Sequence, residues 1–171
     1  MGLLDELGYE VTEPNAAQRL SQRVASTRPG AWTLQKTLYP FDKALFRRTD
    51  GRTTFASLIA GLPVVILATT GAKTGRTRET PLVAVPLDGG LAVIGSNYGQ
   101  PNTPGWVFNL DADPAATLSY RGTTIAVTAR RLDDADADRV FGQAAHMYGG
   151  YEKYRDRAER TIKVFALDPA D

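Results

Sequence analysis

Cysteine is missing from this chain of 171 residues, and histidine occurs once, as His146. The absence of cysteine excludes disulfides, thiolate nucleophiles and zinc sites built on thiolates. A single histidine excludes a multi-histidine metal site as well, so we expect no bound metal. The sequence also lacks a Ser-His-Asp set and an obvious pair of catalytic carboxylates. If the protein is an enzyme, a bound cofactor is therefore expected to supply its chemistry.

The chain has little net charge and no long apolar run. Its formal net charge is +1 at pH 7, which gives no overall attraction to nucleic acid or to an anionic membrane. The longest apolar stretch, 58–68, contains a glycine and a proline and is far shorter than the ~20 residues of a membrane-spanning helix. Asp5 and Glu6 stand where a signal peptide would carry basic residues. We expect a cytoplasmic protein and leave a peripheral membrane contact open.

Two units are predicted: a helical segment over 1–60 that packs on a barrel formed by 61–171. Residues 16–25 are predicted to form a helix capped by Asn15. Residues 33–46 carry apolar side chains at helical spacing, interrupted by a proline. The aromatic and basic residues of this stretch suit a membrane surface, or alternatively a cover over one end of the core.

Six strands are predicted in the second unit, from runs of apolar and β-branched residues bounded by turn residues. Asp88-Gly89-Gly90 is a typical hairpin turn, and few connections are long enough for a crossover. The fold is therefore expected to be mainly β, with a mostly antiparallel sheet that closes into a barrel and flanking helices. Thr103 and Asp133 are each predicted to cap a helix. The predicted strands are 63–70, 77–87, 91–96, 116–120, 123–131 and 161–167, and the predicted helices are 106–111, 133–148 and 151–158.

The most informative stretch, 69–82, follows an apolar strand and concentrates cations, glycines and threonines in one turn. Backbone N–H groups, hydroxyls and cations at a strand end can hold an anionic cofactor. The stretch is not a nucleotide-binding P-loop, because two of the required glycines are absent. Lys73 and Arg78 are the candidates for phosphate or carboxylate contacts, while Arg76 is expected to point to solvent. A solvated basic hairpin remains the alternative.

Two further patterns suit the binding of a flat ring. Residues 95–99 are small and polar, end a strand beside the basic turn, and would let a ring approach the backbone; a plain turn is the alternative. Trp106 and Asn109 lie three residues apart on the predicted short helix and therefore share a face. They could stack on the ring and brace the neighbouring loop, although a core position is the commoner fate of a tryptophan.

Tyr148, Tyr151 and Tyr154 recur at every third residue, which places them on roughly one face if the chain is helical there. Phenols around a pocket can stack on a flat substrate and donate a proton. The alternative is an aromatic stripe in the core. His146 stands near the end of a helix and is given no chemical role.

In their order along the chain, these pieces resemble the deazaflavin-dependent nitroreductase family of actinobacteria over about residues 62–167. That family has a split β-barrel fold related to pyridoxamine-phosphate oxidase. It uses coenzyme F-420, an 8-hydroxy-5-deazaflavin with a phospholactate and an oligoglutamate tail. The matching motifs are Thr70-Gly71-Ala72-Lys73-Thr74-Gly75 with Arg78 and Pro81, Gly95-Ser96-Asn97, Pro104-x-Trp106-x-x-Asn109-Leu110 with Asp113-Pro114, and Met147-Tyr148 with Tyr151 and Tyr154.

The resemblance implies a cofactor site on this chain. Lys73, Thr74 and Arg78 would hold the phosphate and the tail carboxylates. The polyanionic tail requires such cations, and the flat ring requires a close backbone. The ring would be lined or supported by Pro81, Ser96, Asn97, Tyr98, Gly99, Trp106 and Asn109.

The implied activity is the transfer of a hydride from reduced F-420 to a quinone, an activated enone or a nitroaromatic acceptor. Tyr148, Tyr151 and Tyr154 would form the substrate side, with Tyr148 and Tyr151 as catalytic residues. Tyr98 and Val83 depart from residues common in the family and bear on which acceptor fits. An FMN-dependent oxidase or reductase on the same barrel is the alternative, as is a non-catalytic F-420-binding protein. The chain is expected to be a monomer or a homodimer.

Overall fold

The computed structural model describes residues 2–25, 27 and 61–170. These residues form a closed barrel of six strands, in which every described strand pair is antiparallel. The predicted fold class is thereby confirmed. The strands are β1 (Val64–Thr70), β2 (Thr77–Leu87), β3 (Gly90–Ile94), β4 (Ala115–Tyr120), β5 (Thr123–Arg131) and β6 (Val164–Pro169), and the helices are α1 (Leu3–Leu7), α2 (Ala16–Ala25), α3 (Gly105–Ala112), α4 (Asp134–Met147) and α5 (Gly150–Arg157).

The strand register places the connections at two ends of the barrel, whose strand order is β1-β2-β3-β6-β5-β4. Thr70 pairs with Thr77 where β1 turns into β2. The turn 71–76 and the segment that follows β3 therefore lie at one end, which we call the loop end. The β2–β3 and β4–β5 hairpins turn at 88–89 and 121–122, at the opposite end, which we call the hairpin end.

Side chains of the strands alternate between two hydrophobic clusters, as the two-residue period of a strand requires. Val65, Leu67 and Val93 are fully buried in the cluster inside the barrel. Val85 and Val164 belong to a second cluster that includes residues of α4 and α5. Full burial of each such side chain contributes about 1.5–3 kcal/mol. The second cluster also contains the three tyrosines singled out above, so these two helices carry them.

The helix α1 belongs to the core of the barrel. Leu3 and Leu7 are buried with the inner residues of the strands. Tyr9 follows, and its hydroxyl donates to the carbonyls of Pro63 (3.3 Å) and Ala84. These contacts attach the N-terminus directly to the barrel. The predicted boundary between 1–60 and 61–171 stays a prediction, because the predicted helix 33–46 and the residues around it lie outside the described part.

The helix α2 has the bounds and the cap that its sequence predicts. The Asn15 Oδ1 atom accepts from the Gln18 backbone N–H at 2.9 Å, and the Gln18 Oε1 atom accepts from the Asn15 N–H at 2.9 Å. This reciprocal capping box satisfies two N–H groups that the first turn would leave free, and an N-cap contributes about 1 kcal/mol.

Three local predictions need correction, of which one is the last strand: it runs Val164–Pro169 rather than 161–167. Thr103 does not cap α3: the N-cap is Pro104, without a side-chain hydrogen bond, and the Val107 N–H donates to the Pro104 carbonyl at 3.1 Å. The extended backbone of Pro104 puts Thr103 outside the helix. The third strand also ends at Ile94 rather than Ser96, because Ser96 adopts a helical backbone and opens a short 3-10 turn.

Candidate cofactor and substrate site

The turn 71–76 is fixed by its own backbone. The Gly71 N–H donates to the Arg76 carbonyl at 2.8 Å, and the Gly71 carbonyl accepts from Thr74 and Gly75. A Cβ atom at Gly71 would lie 2.8 Å from the Thr74 hydroxyl and 3.0 Å from the Arg76 carbonyl, so only glycine fits. Gly75 has a positive φ of 64°, which glycine adopts without strain. The sequence thereby fixes a rigid turn at the loop end.

Three cations project from this turn and the first residues of β2. Lys73, Arg76 and Arg78 are all exposed, and none of them forms an ion pair with a described carboxylate. Their donors are therefore available for a phosphate or carboxylate, and the arginine fork suits bidentate contacts. The exposure of Arg76 agrees with its expected orientation to solvent. Lys73 and Arg78 are exposed as well, so exposure does not show which of the three cations binds an anion.

Asn109 braces the turn from α3. Its Oδ1 atom accepts from the Ala72 N–H at 3.0 Å, and its Nδ2 atom donates to the Thr69 hydroxyl at 2.9 Å. A single amide thus ties the helix to the end of β1 and to the turn. This is the bracing function predicted from the sequence.

Trp106, on the same helix, is a core residue. It is 5% exposed, and its ring packs edge-on against Phe165 with the centroids 6.1 Å apart. Its indole therefore supports the wall from inside the barrel. Pro81 is half-buried in β2, opposite Ile66 of β1.

The segment 95–102 runs close to the helices on both sides. A Cβ atom at Gly95 would lie 2.8 Å from the Cγ2 atom of Val107 in α3. A Cβ atom at Gly99 would lie 3.0 Å from the Cα and carbonyl oxygen of Tyr154 in α5. These two glycines let α3 and α5 approach the same stretch of backbone.

The centre of this segment has an uncommon conformation. Asn97, Tyr98 and Gly99 have positive φ values of 46°, 56° and 74°. Two consecutive non-glycine residues in the left-handed region are unfavourable, and such strain persists only where surrounding contacts impose it. Ser96 is buried, and its carbonyl accepts from the Gly99 N–H at 2.9 Å. The segment is thus held in one shape rather than left as a plain exposed turn.

Arg160 supplies much of this restraint, and sequence reasoning missed it. Its guanidinium donates to carbonyls spread across the whole segment, those of Gly95, Ser96, Gln100 and Asn102. Arg160 is half-buried, and burial lowers the pKa of its guanidinium. It stands in a charged stretch after α5, about 60 residues from its partners, and no local pattern marks it.

The three predicted tyrosines contact one another, and a fourth tyrosine packs against them. Tyr148, Tyr151 and Tyr154 are all buried, with ring centroids 5.9–6.0 Å apart in edge-on contacts. Tyr98 of the segment 95–102 joins them, 6.0 Å from Tyr154 and partly exposed. The three do not share one helix face: Tyr148 is the extended C-cap of α4, and the other two lie on α5. They meet because the chain turns at Gly149.

The hydroxyls of Tyr148 and Tyr154 lie 3.0 Å apart in a hydrogen bond. Burial raises the pKa of Tyr148, while its bond to Tyr154 and the nearby charge of Arg157 act in the opposite direction. Burial also raises the pKa of Tyr151 and, together with its tyrosine neighbours, that of Tyr154. All three phenols therefore stay protonated at neutral pH. The arrangement can donate a proton and stack on a flat molecule.

The pieces form one continuous structure at the loop end. The helix α3 holds the basic turn through Asn109 and contacts the segment 95–102 through Val107. That segment reaches the tyrosines through Tyr98 and Gly99.

Among the described residues, no three His, Asp or Glu side chains gather as a metal site, and no helix there is long and apolar enough to cross a membrane.

The chain is similar to proteins of one family. A family model described as F-420H(2)-dependent quinone reductase matches residues 40–169. An F-420H(2)-dependent quinone reductase of Mycobacterium tuberculosis is 32% identical over 128 residues, which cover 72% of this chain and 85% of the relative. A putative F-420H(2)-dependent quinone reductase of Mycobacterium bovis has the same identity and coverage.

Two solved structures share the fold. One is an F-420-H2-dependent reductase named FDR-A, with a TM-score of 0.57 and 33% identity, covering 62% of this chain and 94% of that one. The other is described as a domain-swapped dimer, with a TM-score of 0.59 and 30% identity, covering 82% of this chain and 99% of that one. The family model, over residues 40–169, spans all six strands of the barrel.

Proposed function

This chain belongs to the F-420H(2)-dependent quinone reductase family, and from that premise we propose which of its residues hold the cofactor and which act on the acceptor. The resemblance noted in the sequence is thereby confirmed. The protein is an oxidoreductase that uses coenzyme F-420. Lys73, Thr74 and Arg78 bind the phosphate and carboxylates of the cofactor, and the segment 95–102 lines its ring.

The residues of the loop end fit such a cofactor. Lys73 and Arg78 have no carboxylate partner among the described residues, and a polyanionic tail would supply one. Glycines at 95 and 99 keep the segment free of Cβ atoms where the helices approach it, so the backbone is closely supported. When bound, the reduced deazaflavin supplies a hydride.

The observation that carries this proposal is the hydrogen-bonded pair of buried phenols, Tyr148 and Tyr154, beside Tyr98 of the ring segment. Reduction of a quinone to a hydroquinone takes one hydride and one proton. Tyr148 holds a phenolic proton at neutral pH and donates it to the quinone oxygen, and Tyr154 orients the hydroxyl of Tyr148. Tyr151 packs against both rings and shapes the apolar wall. The protein otherwise contributes proximity and orientation.

A cofactor titration tests the cation assignments. Oxidised and reduced F-420 are titrated against intrinsic fluorescence in the wild type and in Lys73→Ala, Arg78→Ala and Arg76→Ala. We expect weaker binding in the first two variants and little change in Arg76→Ala, which serves as the matched control. Unchanged affinity in both Lys73→Ala and Arg78→Ala would exclude the anion site.

Turnover separates the possible activities. Reduced F-420 is mixed with the protein and a menaquinone analogue, an activated enone or a nitroaromatic, and the absorbance of the oxidised cofactor is followed. We expect the quinone to be reduced. Tight F-420 binding without turnover of any acceptor would indicate a cofactor carrier, and tight FMN binding without F-420 binding would indicate a flavin enzyme.

The helix α2 supports a peripheral membrane contact. Leu20 and Val24 lie one turn apart and are 64% and 60% exposed, while Gln18 and Gln22 are partly buried on the opposite face. The apolar face of this helix is therefore exposed and points away from the described part of the barrel, with Arg19 beside it. Apolar side chains next to cations suit the surface of an anionic bilayer.

Sedimentation with anionic phosphatidylglycerol vesicles tests the contact. The double variant with Leu20→Ser and Val24→Ser should lose binding that a Gln22→Ser control retains. Light scattering of both variants reports the oligomeric state at the same time. If the double variant instead converts a dimer into a monomer and the wild type ignores vesicles, the face belongs to a subunit interface.

A further inference from the structure

Arg160 makes four hydrogen bonds to the segment 95–102. Its Nη2 atom donates to the carbonyls of Gly95 at 3.0 Å, Ser96 at 3.2 Å and Asn102 at 3.3 Å, and its Nε atom donates to Gln100 at 3.3 Å. One planar guanidinium therefore joins the two ends of the segment and its middle.

The segment needs an external restraint. Asn97 and Tyr98 both have a left-handed backbone, which asparagine tolerates and a bulky tyrosine rarely adopts. Bonds inside the segment join Gly99 to Ser96 at 2.9 Å and Gln100 to Asn97 at 3.0 Å between backbone groups, and the Asn97 side chain donates to the Asn102 carbonyl at 2.9 Å. The carbonyls that Arg160 engages flank the strained residues on both sides. Their positions fix where the Tyr98 ring points.

The positive charge of Arg160 strengthens its hydrogen bonds to the carbonyls of the segment and does not take part in an ion pair with a described carboxylate. No described carboxylate lies within salt-bridge distance of it, whereas Arg130, Arg139 and Arg155 each pair with an aspartate. Its guanidinium is half-buried against backbone dipoles, where charge-assisted hydrogen bonds are strong. A lysine has its donors on one nitrogen and lacks the second nitrogen with which Arg160 also bonds to Gln100.

We infer that Arg160 is a positioning residue that preorganises the segment 95–102 for the cofactor ring. The inference rests on the proposed function of that segment. Because a preformed segment avoids an ordering cost on binding, loss of Arg160 should weaken cofactor binding without removing any group that reacts. A merely structural role would instead lower the fraction of folded protein and reduce kcat.

Hydrogen exchange of the full chain without cofactor is the first test. Arg160→Gln should accelerate exchange of the Gly99 and Gln100 amides by about tenfold or more, because these donors close the strained turn. Arg160→Lys, which keeps the charge, should give an intermediate rate. Arg130→Gln is the matched control, since Arg130 is exposed and pairs with Asp168 between β5 and β6. Its effect on these two amides should be negligible.

Cofactor binding and kinetics are the second test. For Arg160→Lys we expect the Kd and KM for reduced F-420 to rise about tenfold while kcat at saturation changes by less than about twofold. Added guanidinium should restore part of the affinity of Arg160→Ala. Wild-type exchange rates at Gly99 and Gln100 in both Arg160→Gln and Arg160→Lys would overturn the inference. Faster exchange with an unchanged Kd for F-420 would overturn it as well. Failure of the wild type to bind F-420 would instead remove the proposed function, and the exchange rates would still decide whether Arg160 holds the segment.

Discussion

The hydroxyl oxygen of Tyr148 lies 3.0 Å from that of Tyr154, inside a cluster where both side chains are buried. The two rings come from different helices, because Tyr148 caps the end of α4 and Tyr154 lies in α5. Tyr151, by contrast, forms no hydrogen bond through its hydroxyl with any described residue. A hydrogen bond thus orients the phenol of Tyr148, whereas Tyr151 contacts its tyrosine neighbours through its ring alone.

Replacing Tyr148 by Phe should lower acceptor turnover far more than cofactor affinity. Loss of a positioned proton donor typically costs about 10²-fold or more in rate, whereas the ring packing is kept. The F-420 Kd should change by less than about twofold. Tyr151→Phe is the control of the same size and should retain most of the turnover. Equal losses of turnover in both variants would contradict the assignment of the proton to Tyr148.

Gly150→Ala should displace the Tyr148 ring. A Cβ atom at Gly150 would lie 2.3 Å from two ring carbons of Tyr148 and 2.6 Å from its hydroxyl. The phenol must therefore shift from the position in which it bonds to Tyr154, and we expect turnover to fall about tenfold. Gly149→Ala is the matched control, since nothing lies within 4 Å of its Cβ position. Similar kinetics for both alanine variants would show that Tyr148 need not stay in place.

The barrel could be predicted from local patterns, whereas the site could be predicted only in part. A run of apolar residues followed by the Asp88-Gly89-Gly90 turn predicted the bounds of β2 correctly, because both signals act over a few residues. Arg160 bonds to Gly95 across 65 residues of sequence, and nothing near either residue marks the contact. Tyr98, which joins the tyrosines, has a left-handed backbone, a conformation that the sequence propensity of tyrosine does not predict.

Stability should fall above about pH 10. Burial raises the pKa of Tyr9, Tyr148, Tyr151 and Tyr154 above their ordinary value of about 10, so the folded state keeps these phenols neutral. Their contribution is complete below the unfolded pKa of about 10 and is lost as the pH rises toward the folded values. Each group then lowers the free energy of unfolding by about 1.4 kcal/mol per pH unit.

Urea unfolding between pH 7 and 11, together with tyrosinate absorbance, checks this loss. The chain has seven tyrosines, and the four whose pKa is raised by burial should ionise only as the protein unfolds. If all seven ionised together near pH 10 while the far-UV circular dichroism stayed native, the buried tyrosine cluster would be wrong.

Asn109→Ala should loosen the basic turn and weaken cofactor binding, although it leaves Lys73 and Arg78, the cations proposed to bind the cofactor, in the chain. The Asn109 amide accepts from the Ala72 N–H and donates to the Thr69 hydroxyl, so its removal leaves both groups without these bonds. We expect the free energy of unfolding to fall by about 1–2 kcal/mol, from two hydrogen bonds of ordinary strength. The F-420 Kd should rise several-fold, because the turn that carries Lys73 must then be ordered on binding.

Phe108→Ala on the same helix is the control for that variant. Phe108 is 55% exposed, so its truncation removes a neighbouring side chain and leaves the amide bridge intact. It should leave the Kd unchanged, and the cost in stability should be small. The ionic-strength dependence of the Kd adds a second reading, because Asn109→Ala keeps Lys73 and Arg78 and should therefore keep the salt dependence of the wild type. If Asn109→Ala instead bound F-420 as tightly as the wild type, the amide would stabilise the barrel alone, and Lys73 would not depend on a preformed turn.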